Sequence, residues 1–329
     1  MTRRRLLAAL AAVPLLPGAR AHAQPVVPSP SWSPERPVRL VVGFAPGGST
    51  DTTARVVAQG ITAGLGQSVV VENRTGAAGN IATEHVARSA PDGHTLVVAS
   101  MGSHATNAAL YRDLPFDVVR DFVPVSLVAL SACLLVVHPS LPVRNVTELI
   151  ARAKAAPGKL NCGIAGAGSS QHFAAALFEH RAGVSFTQVS YRGGAPAMAD
   201  LVSGRLDLMF TPFVETAQQV RSGQVRALGT TRSERSAQLP EVPAIAEELP
   251  GYEFNSWLGL FAPAGTPAPA VTRLSREVAA ALRTPQTRGR MEELGYQPVG
   301  STPEEFAAFF AAELPRVAEL VRISGASVD

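Results

Sequence analysis

One pattern recurs along this chain: an apolar, β-rich run ends in glycine and serine, and a helical pattern begins directly afterwards. In its first occurrence, the apolar run 38–44 leads into Ala45-Pro46-Gly47-Gly48, and a helix is predicted from Ser49. The first turn of a helix leaves backbone N–H groups without partners, and the helix dipole places partial positive charge there. Glycines let a ligand approach this backbone closely. The segment is therefore typical of an anion-binding turn.

Three further apolar runs end in the same way, at Ser100, Ala165 and Tyr191. Strands that alternate with helices predict an α/β fold with largely parallel sheets. The carboxyl ends of parallel strands meet at one edge of a sheet, where ligands bind. We therefore predict that Gly47-Gly48-Ser49 and Gly168-Ser169-Ser170 form two opposed loops that accept an anion.

Two long apolar stretches, 122–137 and 252–261, are predicted to cross between two domains. After an N-terminal leader, residues 24–329 suffice for two domains at roughly 150 residues each. We place one domain at residues 24–130 plus 254–329 and the other at residues 131–253.

The first 23 residues have the pattern of a signal peptide. A basic segment, Arg3-Arg4-Arg5, precedes the apolar residues 6–16, and Ala21-His22-Ala23 is a small-x-small cleavage site. The apolar segment has about half the length needed to span a bilayer. We expect export to the periplasm, by either the Sec or the twin-arginine route.

Charge gives no sign of a nucleic-acid partner. The whole chain carries 29 Lys+Arg and 26 Asp+Glu, for a net charge of +3. Loss of Arg3, Arg4, Arg5 and Arg20 with the signal peptide leaves 25 basic and 26 acidic residues, a net charge of −1. The remaining chain has no basic run, so we expect no nucleic-acid binding.

Motifs for metal, cofactor and nucleophile chemistry are absent from the sequence. It contains no CxxC or HExxH spacing, and the loop 166–171 lacks the last glycine of a dinucleotide fingerprint. Ser170 does not lie in a Gly-x-Ser-x-Gly elbow. We therefore expect no metal, no cofactor and no enzymatic activity. Cys133 and Cys162 could form a disulfide in an oxidising compartment or remain buried thiols.

Motifs along nearly the whole chain resemble those of the Bug family, the extracytoplasmic solute receptors of tripartite tricarboxylate transporters. The resemblance covers residues 35–329, and as a set the motifs are specific. They lie at residues 37–51, 69–76, 90–97, 111–128, 157–160, 166–169, 191–197, 262–267 and 302–306.

The resemblance implies a type II periplasmic-binding-protein fold: two α/β domains, each with a mixed, mostly parallel sheet, joined by two crossing strands. It also implies that a ligand carboxylate is held between the loop after the first strand and the Gly-x-Gly-Ser loop of the second domain. Carried onto this sequence, the predicted ligand-binding residues are Phe44, Gly47, Gly48, Ser49, Asp51, Ser103, Gly168, Ser169, His172, Tyr191 and Gly193.

This sequence departs from the family pattern at two places. Cys162-Gly163-Ile164 replaces the usual Tyr-Gly-Ser, and Ser170-Gln171 varies the loop after the serine. Both changes are expected to affect ligand choice.

Several of these residues also allow a purely structural role. Asp51, in a first helical turn, either contacts the ligand or stabilises the helix dipole. The serines of the two loops either contact the ligand or cap their helices. His172 either donates to a carboxylate or packs at the start of its helix. By position alone, His104 is assigned to a cleft loop and Glu215 to a solvated helix face.

The resemblance implies a monomeric receptor for a small carboxylated metabolite: a di- or tricarboxylate, an amino acid or an aromatic acid. The membrane permease subunits of a tripartite transporter would be its partner. The sequence also allows a sensor that presents its liganded form to a two-component kinase, or a periplasmic hydrolase. It does not name the ligand, because recognition by backbone N–H groups leaves little trace in side chains.

Overall fold

The structure is a computed structural model that describes residues 32–235 and 239–327. The predicted signal peptide lies outside the described residues. The strands are β1 (Val38–Val42), β2 (Val69–Asn73), β3 (Thr95–Ser100), β4 (Phe122–Val137), β5 (Asn161–Ile164), β6 (Thr187–Ser190), β7 (Leu208–Pro212), β8 (Arg226–Thr230), β9 (Asn255–Pro263) and β10 (Tyr296–Pro298). The α-helices are α1 (Ser49–Leu65), α2 (Asn80–Ala87), α3 (Asn107–Leu110), α4 (Val146–Ala155), α5 (Ser170–Ala182), α6 (Gly194–Val202), α7 (Phe213–Arg221), α8 (Ala268–Arg283), α9 (Pro285–Glu293) and α10 (Pro303–Ser324).

The strands form a mixed sheet in the order β2-β1-β3-β9-β4-β7-β5-β6, and β8 and β10 also pair with β4. β1 is parallel to β2 and β3, and β5 is parallel to β6 and β7. The pairs of β9 with β3, and of β4 with β7, β8, β9 and β10, are antiparallel. Two parallel groups of strands are thus separated by β9 and β4.

β4 links the two parallel groups because it changes partners along its length. Residues 122–132 pair with β9, whereas residues 133–137 pair with β7 and β8. The chain leaves the first group through β4 and returns to it through β9. The division into domains at residues 130 and 253 remains a prediction.

The first strand and helix show why this sequence folds as it does. Four of the five residues of β1 are buried, as expected for a strand covered on both faces. α1 buries Ala54, Val57 and Ile61 at helical spacing, and it ends at Gly66, whose φ of 70° suits a glycine.

α10 begins at a complete capping box, in which Thr302 accepts from the backbone of Glu305. Its buried Phe306 and Phe310 pack against Trp257 of β9. The Trp257 indole also donates to the Glu313 carboxylate at 3.0 Å. These contacts fix α10 against the crossing strands.

The two cysteines are buried free thiols. β7 lies between their strands: Cys133 is opposite Pro212 on one side, and Cys162 is opposite Leu208 on the other. Two strand spacings of about 4.8 Å and four residues of about 3.4 Å place their Cα atoms about 17 Å apart. A disulfide requires less than about 7 Å, so this pairing is excluded.

No helix in the described part of the chain is long and apolar enough to cross a bilayer. Residues 32–235 and 239–327 also contain no cluster of three His, Cys, Asp or Glu side chains arranged to hold a metal ion.

Candidate functional site

The loop between β1 and α1 presents an open helix N-terminus. Gly48 is the N-cap of α1 and supplies no capping side chain. Gly47 has a φ of 81°, a conformation that favours glycine, and a side chain added there would meet open space. Ser49 is exposed. The start of α1 at Ser49 is therefore accessible to a ligand, whereas Thr50 and Asp51 are buried.

Asp51 fixes the conformation of this loop through hydrogen bonds. Its side chain is buried, and its Oδ2 accepts from Gly47 N at 2.8 Å and from Arg55 Nε at 2.9 Å. Its Oδ1 accepts from Arg55 Nη2 at 2.9 Å and from Asn73 Nδ2 at 2.8 Å. Burial alone would raise the pKa of Asp51, but the hydrogen bonds from Arg55, Gly47 and Asn73 lower it to about 2. These contacts support the structural role, and a ligand contact remains a prediction.

Three segments converge beside this loop. A Cβ added at Gly43 would lie 2.6 Å from Gly79 Cα, so the two backbones are in direct contact. A Cβ added at Gly79 would lie 3.2 Å from Ser103 Cβ and 3.5 Å from the Phe44 ring. The loop after β1, the glycine loop before α2 (residues 76–79) and the end of β3 thus form one wall of the candidate site.

The glycine loop before α2 contains two residues in the left-handed region. Ala77 has a φ of 46° and Ala78 a φ of 53°. The Ala78 carbonyl accepts from Asn107 Nδ2 at 3.0 Å, which helps to hold this conformation. Left-handed backbone costs an L-residue about 1–2 kcal/mol.

We expect Ala78→Gly to raise the free energy of unfolding by about 0.5–1 kcal/mol, because glycine adopts this conformation without strain. Denaturant unfolding at pH 7 would measure the change. The control is Ala151→Gly on the exposed face of α4, where glycine should instead cost about 1 kcal/mol. Destabilisation of equal size at both positions would contradict this account of the strain.

Ser103 closes a capping box at the start of the π-helical turn Met101–Thr106. Its hydroxyl accepts from Ser100 N at 3.0 Å, and its backbone N–H donates to Ser100 Oγ at 3.1 Å. Ser103 is also buried. Its contacts are those of a helix cap on the wall of the site, and its hydroxyl also lies 3.2 Å from His104 Nδ1.

His104 lies in the hydrophobic core, so its assignment to a cleft loop is wrong. Its side chain is fully buried, stacked on Phe261 at 4.9 Å and in edge contact with Phe122 at 5.3 Å. Burial lowers the pKa of His104 to about 3, so the ring is neutral at physiological pH. The π-helical turn directs this side chain inward rather than into the cleft.

His104→Phe should make stability less sensitive to acid. The unfolded chain takes up a proton at this histidine near pH 6.5, whereas the folded chain does not until about pH 3. Stability from the neutral ring is complete above pH 6.5 and is lost as the pH falls towards 3. We expect a shallower decline for the variant in denaturant unfolding between pH 7 and 4. An unchanged slope, equal to that of the exposed control His180→Gln, would contradict this assignment.

The loop between β5 and α5 is the second of the two loops predicted to accept an anion. Gly166 and Gly168 have φ values of 104° and 74°. Ser169 is the N-cap of α5, and its hydroxyl accepts from His172 N at 3.2 Å. A Cβ added at Gly168 would lie 3.6 Å from Leu110 and 3.8 Å from Thr106. This loop therefore packs beside the π-helical turn of the first group of strands.

His172 holds the backbone of this second loop in place. Its Nδ1 accepts from Gly168 N at 3.1 Å, so the ring proton of the neutral form is on Nε2. Burial lowers the pKa of His172, while a hydrogen bond with the backbone of Ser324 at the end of α10 raises it. The net direction is downward, which favours the neutral ring that this geometry needs. Both ring nitrogens therefore contact the protein itself.

Tyr191 and Gly193 shape the start of α6. The Tyr191 hydroxyl donates to Asp200 Oδ2 at 2.8 Å, and Tyr191 N donates to Ile164 O at 2.9 Å. Gly193, with a φ of 112°, is the N-cap of α6 and provides no capping side chain. A second uncapped helix N-terminus therefore lies next to the loop after β5.

The family follows from comparison with known proteins. Residues 53–325 match the model of the tripartite tricarboxylate transporter family receptor. The chain belongs to this receptor family. Protein BugT of Bordetella pertussis (strain Tohama I) is 37% identical over 297 residues, which cover 90% of this receptor and 91% of BugT. The predicted relation to Bug proteins is thus confirmed.

Two solved structures share the fold of this receptor. Rpa4515 of R. palustris, solved with adipate, is 38% identical with a TM-score of 0.76, over 89% of this receptor and 99% of that chain. MatC (Rpa3494) from Rhodopseudomonas palustris, with bound malate, is 36% identical with a TM-score of 0.70, over 88% and 99%. The predicted type II periplasmic-binding-protein fold is confirmed.

One acidic side chain has contacts that the sequence did not indicate. Glu215, in the first turn of α7, is exposed to solvent, as its assignment to a solvated helix face predicts. Its Oε2 also lies 3.5 Å from both Gln171 Nε2 and Thr211 Oγ1. Thr211 is near the end of β7 and Gln171 belongs to the first turn of α5, so Glu215 is at the carboxyl edge of the strands. Only the pairing of these elements in the fold could have indicated this.

A cavity of about 640 Å³ lies near the crossing strands, lined in part by Cys133, Phe213, Arg232 and Tyr296. Its size suits a small ligand. None of the eleven predicted binding residues is among the described residues that line it. We place the candidate site at the loops instead, because the uncapped starts of α1 and α6 supply the donors that an anion needs.

Proposed function

We propose that this receptor binds a small carboxylated metabolite between the loop after β1 and the loops after β5 and β6. The observation that carries the proposal is the pair of uncapped helix N-termini at Gly48 and Gly193, with Ser169 beside the second. The ligands named for Rpa4515 and MatC, adipate and malate, are both carboxylates and support it.

Simple energetics are consistent with this mode of binding. A hydrogen bond to a charged group contributes about 1.5–3 kcal/mol. A few such bonds supply the roughly 8 kcal/mol of micromolar affinity, with a margin for the cost of closing the cleft. Recognition then depends on backbone N–H groups, hydroxyls and helix dipoles.

A thermal-shift panel tests the proposal. It contains di- and tricarboxylates, amino acids and aromatic acids, with sugars and neutral amides as negative controls. At least one acid at millimolar concentration should raise the melting temperature by several degrees, because a ligand that binds only the folded state stabilises it. A panel in which no carboxylate stabilises the protein would contradict the proposal.

We further propose that the receptor is exported by residues 1–23 to the periplasm and delivers its ligand to transporter permease subunits. The family to which the chain belongs supports this role. Closure would occur about β4 and β9, and a ligand that contacts both groups of loops would stabilise the closed form. Cells that lack this receptor should lose uptake of the ligand found in the panel. Normal uptake with a lost transcriptional response would instead indicate a sensor.

A further inference from the structure

Glu215 lies where three helices of the second group of strands begin. It is the third residue of α7, its carboxylate faces Gln171 in the first turn of α5, and it rests on Gly194, the first residue of α6. The hydrogen bonds from Gln171 Nε2 and Thr211 Oγ1 are long, at 3.5 Å each. The carboxylate is thus held loosely and keeps capacity to accept further hydrogen bonds.

Gly194 provides the space for this carboxylate. A Cβ at Gly194 would overlap Glu215 Oε2 and would lie 3.3 Å from Gln171 Nε2. Any larger residue would push the acid away from the start of α6. The position of Glu215 therefore depends on two local features, the absence of a side chain at Gly194 and the amide of Gln171.

Glu215 has no ion-pair partner in the described part of the chain. Among residues 32–235 and 239–327, no Lys, Arg or His nitrogen lies within ion-pair distance of its carboxylate. Burial of the carboxyl group beside its neighbours raises the pKa of Glu215, while the residue as a whole is exposed to solvent. A ligand next to it meets an unpaired carboxylate.

Such a carboxylate discriminates between the groups that a ligand can carry at its far end. A second ligand carboxylate would be repelled by it, whereas an amine or amide would donate a hydrogen bond to it. Discrimination of this kind depends on a repulsive element as well as an attractive one. The Ser170-Gln171 departure from the family pattern lies at this point, since Gln171 contacts Glu215.

We propose that Glu215 sets the specificity of this receptor for a monocarboxylate that carries a nitrogen hydrogen-bond donor, an amine or an amide, in preference to a dicarboxylate. The inference rests on the proposed carboxylate-binding function. The ligand carboxylate is held at the uncapped start of α1, because the Glu215 carboxylate lies against Gly194 at the start of α6. The nitrogen group donates to Glu215 Oε2 or Oε1.

Calorimetric titration with matched ligands tests this inference. At two chain lengths the ligands differ only at one end: succinate, succinamate and 3-aminopropanoate, then adipate, adipamate and 5-aminopentanoate. At one length or both, the amine or amide should bind about tenfold more tightly than the dicarboxylate. Glu215→Gln should abolish or reverse this ratio. Glu241→Gln, an exposed acid beside Val220 and Arg226, should leave it unchanged.

The outcomes separate the two proposals. Equal affinity for dicarboxylate and nitrogen-bearing acid in the unmodified receptor, or an unchanged ratio in Glu215→Gln, overturns the role of Glu215 while carboxylate binding stands. Binding of no acid in either this set or the broader panel overturns both. A thermal melt of Glu215→Gln without ligand checks that the variant is folded, since the substitution keeps the size of the side chain.

Discussion

Gly43→Ala should weaken ligand binding at least tenfold and lower the free energy of unfolding by about 2–3 kcal/mol. A Cβ at this position would lie 2.6 Å from Gly79 Cα, and backbone cannot move aside as a flexible side chain can. The loop after β1 and the loop before α2 would have to separate. Because both loops build the same wall of the site, the change should affect affinity as well as stability. Calorimetric titration and denaturant unfolding measure the two effects.

Gly289→Ala provides the matched control. Gly289 lies within α9, where an added Cβ would meet no atom within 4 Å. Alanine there should leave affinity unchanged and should raise stability by up to about 1 kcal/mol, because it favours a helix more than glycine does. If Gly43→Ala were as harmless as Gly289→Ala, the two loops could not be in the contact described.

Asp51→Ala should destabilise the protein by about 3 kcal/mol and weaken binding. The substitution leaves Gly47 N and Asn73 Nδ2 without their acceptor and removes the partner of Arg55. Breaking a buried pair costs about 3–5 kcal/mol, and the half-exposed Arg55 places this case at the lower end. Affinity should fall because Gly47 is then free to leave the conformation that opens the start of α1. Denaturant unfolding and calorimetric titration measure both effects.

Glu84→Ala is the control, since Glu84 and Arg88 form a pair with the same spacing on the surface of α2, at 2.7 Å. Its loss should cost under about 0.5 kcal/mol. The Asp51 pair also has a pH signature, because the pKa of Asp51 is lowered to about 2. Its stabilisation is complete above about pH 4 and is lost as the pH falls towards 2. A cost for Asp51→Ala as small as that for Glu84→Ala would contradict the buried network.

Local sequence patterns were sufficient to predict the main helices and strands of this receptor and the loops between them. The start of α1 at Ser49 and the open glycine turn before it follow from a strand, a glycine pair and a helix that are adjacent in sequence. The long strand β4 could be predicted because its apolar run of 16 residues is longer than a strand within one parallel group needs to be. The same local pattern predicted the second loop around Ser169, and the motifs that resemble the Bug family include this loop.

Side-chain environments created by long-range packing could not be predicted. Asp51 is hydrogen-bonded to Asn73, which lies 22 positions away in sequence on the next strand. Glu215 contacts Gln171, which lies 44 positions away in sequence. His104 enters the core because a π-helical turn, which has no clear sequence signal, rotates it towards Phe261. In each case the residue type was visible in the sequence, but its surroundings depended on strand order.

The central claim is that the open helix N-terminus at α1 holds a carboxylate of the ligand. Calorimetric titration of the best acid from the panel against its methyl ester tests this most directly, because the ester has nearly the same shape without the charge. We expect the ester to bind at least a hundredfold more weakly, since two or more charge-assisted hydrogen bonds are lost. An ester that binds as tightly as the acid would contradict the account.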